Sequence, residues 1–178
     1  MKPRLVAALA ALALVATMTS GCLAQPAPEP TPAFSSEKEA FAAAEATYRA
    51  YVDALNEVDL SDPATFEGVY AWTTGDANAG ARESFSQMHA DGWTVAGETR
   101  VQLAEPRSWS AEDELIQLDI CLDVSAVTLL NSGGISVVET DRRDVQSMAA
   151  QMTYAPDSAT GLRISLINGR EGAPACDQ

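Results

Sequence analysis

The sequence predicts an α+β domain in which N-terminal helices pack on one side of a curved antiparallel sheet, and three observations lead there. Apolar residues recur at helical spacing as far as Gly92. From Trp93 onward they alternate with polar residues, the period of a strand with one buried face. The later segments are joined by short turn signals, which suit consecutive antiparallel strands better than crossovers. At 178 residues and 47% hydrophobic content, the chain has material for one ordinary core once an export segment is subtracted.

The helices can be placed from their start and stop signals. Ser36 followed by Glu39 has the form of a capping box, after which Phe41, Ala44, Tyr48, Tyr51, Val52 and Leu55 fall on one face; a helix over about Ser36 to Val58 follows. Its large aromatic stripe is read as core packing rather than as a stacking site for a cofactor. Asp62-Pro63 supplies an N-cap and a first-turn proline for a short helix carrying Phe66, Val69 and Tyr70 and ending near Gly75. A third helix begins at Asp76, carries Ala79, Phe85 and Met88, and stops at Gly92.

The strands follow. Val95, Thr99, Val101 and Leu103 alternate with polar positions up to an expected turn at Pro106. Between Glu114 and Val124, Ile116, Leu118, Ile120, Leu122 and Val124 share one face while Gln117, Asp119, Cys121 and Asp123 share the other, so one buried face is expected. Asn131-Ser132-Gly133-Gly134 has hairpin chemistry between strands near Ser125 to Leu130 and Ile135 to Glu139. Further strands are expected at about Val145 to Tyr154 and Leu162 to Asn168.

The first residues read as an address rather than as part of the core. Lys2 and Arg4 precede an apolar run from Leu5 to Met18, which ends in Thr19-Ser20-Gly21-Cys22. As a helix, that run would be about 21 Å long, short of a hydrocarbon core of about 30 Å. It has the form of a signal peptide. Cys22 and the small residues before it resemble a lipobox, although Thr19 stands where that family usually has an aliphatic residue. The resemblance implies cleavage before Cys22, diacylation of that cysteine with fatty chains such as palmitate, and a lipid anchor on the outer face of the cell membrane. Pro26, Pro28, Pro30 and Pro32 then occupy every second position, as in a stiff extended tether. The expected organisation is therefore a leader at 1–21, a lipidated cysteine and tether at 22–34, and one globular domain at 35–178.

The order of helices and strands after Ser35 resembles the NTF2-like or cystatin-like roll. The whole chain is similar to small lipoproteins of high-GC Gram-positive bacteria that carry such a domain. The likeness rests on element order, so it carries over no catalytic residue.

Few residues invite a chemical reading. Setting Cys22 aside leaves Cys121 and Cys176, an even pair in an exported chain, and a disulfide is expected to tie the C-terminal tail to the sheet. His89, the one histidine, falls in the last turn of a helix, where a cation suits the helix dipole. No serine stands in a G-x-S-x-G turn. Asp76-Ala77-Asn78-Ala79-Gly80 has the opening of a calcium loop, but Gly80 and Gln87 stand where ligands belong, so helix capping is the reading taken. Asp119 and Asp123 share a strand face with Cα atoms about 13 Å apart, too far for a carboxylate pair. The runs Glu112-Asp113-Glu114 and Asp141-Arg142-Arg143-Asp144 are read as solvated loops. No metal or cofactor is expected.

A formal charge of −14 repels phosphate backbones and anionic headgroups, so nucleic acid is not an expected partner and membrane contact is assigned to the anchor. The function expected is that of a non-catalytic, tethered domain binding a small ligand or another envelope protein on the concave side of its sheet. An isomerase or dehydratase of the kind the roll resemblance implies is the alternative, and a structural spacer or assembly subunit is a third. A homodimer through the open sheet face is compatible with each.

Overall fold

The structure is a computed structural model, and it describes residues 33–176. The expected leader, Cys22 and the prolines of the tether lie outside the described residues. Within them, helix α1 spans Glu37–Asn56, α2 Phe66–Tyr70 and α3 Gly75–Ala90; strands follow as β1 (Thr94–Ala96), β2 (Arg100–Ser110), β3 (Leu115–Asp123), β4 (Thr128–Leu130), β5 (Val145–Tyr154) and β6 (Leu162–Gly169). This is the expected α+β class, with three helices packed on an antiparallel sheet.

The Ser36 side chain accepts from the Glu39 amide at 3.2 Å, as a capping box requires. The return half is displaced by one residue, because the Glu39 carboxylate accepts from the Ser35 amide and hydroxyl. A 3-10 turn at Pro63–Thr65, capped by Asp62, leads into α2, which stops at Tyr70 rather than near Gly75. The chain cannot continue the helix because residues 72–74 are captured by a strand. Thr74 donates to the Ile164 carbonyl at 2.8 Å, Ile164 donates to that of Trp72 at 2.9 Å, and the next helix starts only at Gly75.

The main sheet has the order β2-β3-β5-β6, with every neighbouring pair antiparallel. Pro106 does not turn the chain as expected. It lies within β2, next to a register shift between Pro106 and Ser108, on an edge strand where a missing N–H is tolerated. The second sheet is small and pairs β1 with β4, placing Val95 opposite Leu129. The Asn131–Gly134 turn forms, with Gly134 donating to the Asn131 carbonyl and Asn131 to that of Ile135. Its returning arm forms no full strand: it makes one bridge, Leu130 to Ser136, and Val137 donates to the Leu129 carbonyl at 3.0 Å.

Two apolar clusters result. In the larger, Ala40, Ala44, Tyr48 and Val52 of α1 lie on Ile116, Leu118, Ile120 and Leu122 of β3, with Met152, Leu162 and Ile164 beside them. The smaller gathers Val58, Leu60, Phe66, Val69 and Tyr70, with Phe85, Met88, Val95 and Leu129 packed on it. Tyr51 touches both. Strand β3 is also covered on its second face, contrary to the one-sided burial expected, because Asp119 and Cys121 are buried as well. The cover is the C-terminal tail, which no periodicity signals.

Candidate functional site

Helix α1 fills the side of the main sheet that the sequence nominates for a pocket. The apolar concavity lies next to it, in the smaller cluster, with a volume of about 210 Å³. Its helical wall is Leu55 and Asn56 from the end of α1, Val58 and Leu60 from the following loop, and Phe85 and Met88 from α3. Its strand wall is Val95, Gly97 and Thr99 from β1 and the approach to β2, then Val127 and Leu129 around β4. Val138 and Arg142, from the long segment before β5, complete it.

Local chemistry fixes the walls. The Asn56 amide reads the Thr99 backbone from both sides, donating to its carbonyl at 2.9 Å and accepting from its N–H at 2.8 Å. That clamp holds the end of α1 against the start of β2. Gly97 has φ +88°, and a Cβ there would overlap the Ala126 carbonyl, so only glycine lets the two chains approach at the rim. Arg142 donates from one Nη2 to the carbonyls of Val124 at 2.9 Å and Val127 at 3.1 Å, bringing the guanidinium to the strand wall.

Arg142 is the one ionisable group among the lining residues. Aliphatic and aromatic side chains otherwise predominate, with Asn56 already paired and Thr99 adding a hydroxyl. Such a concavity can desolvate an apolar molecule and orient it by a cationic contact. It holds no carboxyl, imidazole or phenol that would serve as general acid or base.

The residues singled out from the sequence fall elsewhere. Cys121 and Cys176 sit at disulfide distance, with Cα atoms 5.5 Å apart. Beside them the buried Arg170 guanidinium donates to the Met148, Gly172 and Pro174 carbonyls and lies 3.5 Å from the Asp119 carboxylate. Asp119 also meets Arg107 at 3.2 Å, whereas Asp123 turns to Ser125 and Gln102; the two aspartates are not brought together. His89 lies in the last turn of α3 and its Nδ1–H donates to the Leu60 carbonyl at 2.8 Å. Asp76 to Gly80 are helical, and the Asn78 amide donates to the Tyr70 carbonyl and the Thr73 hydroxyl. Tyr48 is fully buried in the larger cluster, where loss of solvent pushes its phenol pKa well up.

Arg142 overturns one expectation. Its Asp-Arg-Arg-Asp run reads as a solvated turn, yet this member is half-buried and cross-links the strand wall. A signal was present in Val137-Val138 just upstream, an apolar pair too short for its period to show where it packs.

No protein-family model matches the chain, and no curated protein matches it. Among solved structures, similar chains include a proposed aromatic ring hydroxylase from Novosphingobium aromaticivorans, 12% identical, with a TM-score of 0.49 over 76% of this chain and 96% of that one. The VirB8 protein of Agrobacterium tumefaciens is 12% identical, with a TM-score of 0.42 over 84% and 99% of the two chains. Aln2 from a Streptomyces species is 13% identical, with a TM-score of 0.43 over 75% and 93%. Likenesses this distant assign neither an activity nor a ligand. Fold and site together define an α+β domain with an apolar cavity between its helices and its small second sheet.

Proposed function

We propose that the chain is a lipid-anchored extracytoplasmic protein whose roll of the NTF2-like kind binds a small apolar molecule, without transforming it, in the cavity between α1, α3 and the β1–β4 pair. The observation that carries the binding reading is the lining itself: apolar side chains converge on about 210 Å³, with no acid or base among them. An apolar cavity of about 150 Å³ is already enough to hold a benzene ring. Proton-transfer chemistry of the isomerase type needs a carboxyl or phenol with a shifted pKa facing the substrate. The cavity offers none, so binding is favoured over catalysis.

The anchor reading rests on the leader and the Thr19-Ser20-Gly21-Cys22 sequence, and a Cys121–Cys176 disulfide fits an oxidising compartment. Cells grown with labelled palmitate should label the protein, and Cys22→Ala should abolish it; persistent labelling of that variant contradicts the anchor. For the cavity, titration calorimetry of the full-length chain with 4-ethylbenzyl alcohol should show saturable binding at one site. Val95→Phe, which adds a ring to the strand wall, should weaken that binding at least tenfold while the far-ultraviolet circular dichroism is unchanged. Equal affinity in the variant would place the site elsewhere.

A further inference from the structure

We infer that the ligand is amphipathic and anionic: an apolar body of roughly one ring or a short alkyl chain, carrying a carboxylate that seats on Arg142. The inference rests on the cavity being a binding site, and it adds the chemical class of what enters.

Arg142 has been brought to an apolar wall without a counter-ion. Its Nη2 serves the Val124 and Val127 carbonyls, while Nε and Nη1 have no hydrogen-bond partner among the described residues. No carboxylate of the described residues stands within 4.0 Å of it, although the chain carries 25 acidic side chains and six other arginines are so paired. Its neighbours Asp141 and Asp144 are exposed. A half-buried cation that keeps spare donors beside an apolar cavity is costly unless water or an anion completes it. With Nη2 committed to the two carbonyls, the free Nε–H or Nη1–H can each donate a single charge-assisted hydrogen bond to a carboxylate.

The net charge of −14 argues the other way at long range, since it repels any anion approaching from solution. Salt settles the balance. At physiological ionic strength that repulsion is screened beyond about 8 Å, whereas the contact with Arg142 is made at hydrogen-bond distance inside the screening length. The general field therefore slows entry, and the local cation decides affinity. A purely latching role for Arg142, holding residues 124–127 to the segment before β5, would use Nη2 alone and would show no preference among ligand charges.

The test compares three probes of nearly equal size on the purified full-length chain by calorimetry: 4-ethylbenzoate, 4-ethylbenzyl alcohol and 4-ethylbenzylammonium. The benzoate should bind about tenfold or more tighter than the alcohol, and the ammonium weakest, with the benzoate's advantage shrinking as salt is raised. In Arg142→Gln the benzoate's advantage over the alcohol should disappear, the ratio of the two affinities being the readout because loss of the bonds to Val124 and Val127 acts on both probes alike. If that variant fails to fold, the ranking in the unaltered chain still decides. Alcohol binding as tight as benzoate overturns the anionic class and leaves the cavity reading intact. Failure of all three probes to bind overturns both.

Discussion

The Tyr48 hydroxyl is buried in the main core and has no hydrogen-bond partner among the described residues. Desolvating an unpaired hydroxyl costs about 1–3 kcal/mol, while the ring it is attached to contributes its full apolar area. Tyr48→Phe should therefore raise stability by about 1 kcal/mol in urea unfolding, and a loss of stability would show that a buried water satisfies the phenol. Gly97 makes the opposite prediction. With φ +88° and the Ala126 carbonyl where a Cβ would go, Gly97→Ala should cost at least about 2 kcal/mol and open the cavity rim. At this scale the sequence was partly informative. Tyr48 was legible as core from its place in a helical stripe, but Arg142 was not, because a charged residue in a turn carries no period and its role depends on where the loop returns.

Elements with strong local signals were legible, and those decided by distant partners were not. Helix α1 shows its cap and its stripe, and β3 and β5 show their alternation, so all three fall close to their expected places. Helix α2 ends early because β6, about 90 residues later, captures Trp72 to Thr74. The expected return strand after Gly134 is reduced to a bridge at Ser136 and one bond from Val137 to the Leu129 carbonyl, on β4 residues that also pair with β1. The tail is the other distant partner. If Cys121 and Cys176 are bonded, the cross-link closes 55 residues and should contribute about 4 kcal/mol by chain entropy. Reduction, or Cys176→Ser, should lower stability by that order in denaturant, and an unchanged midpoint would mean that the pair is not joined. Acid should also loosen the ends of elements. Hydrogen bonds from Ser35 hold the Glu39 carboxyl below its ordinary 4.5, and those from Ser61, Ser125 and Arg163 hold Asp59, Asp123 and Asp157 below 3.8. Folded-state values depressed in this way add stability above the ordinary values, and it is lost as pH falls through the depressed ones. A stability profile should therefore decline on acidification from about pH 5 towards pH 2; a flat profile would deny these contacts.

For the molecule as a whole, the division into two apolar clusters is what allows a site. The larger cluster is filled by α1 against the main sheet and gives the domain its stability. The smaller one packs α2, α3 and the β1–β4 pair around a space they do not fill. The fold class was legible from the change of period at Trp93, but the cavity was not, since its lining comes from separate stretches of chain that meet only through topology. The most direct test is methyl NMR of the full-length chain titrated with 4-ethylbenzoate. The Met88 and Leu129 methyl resonances, on opposite walls, should shift together and saturate with one dissociation constant, while those of Met152 and Ile164 in the larger cluster stay in place. Shifts confined to the larger cluster, or none at any saturating concentration, would contradict the site.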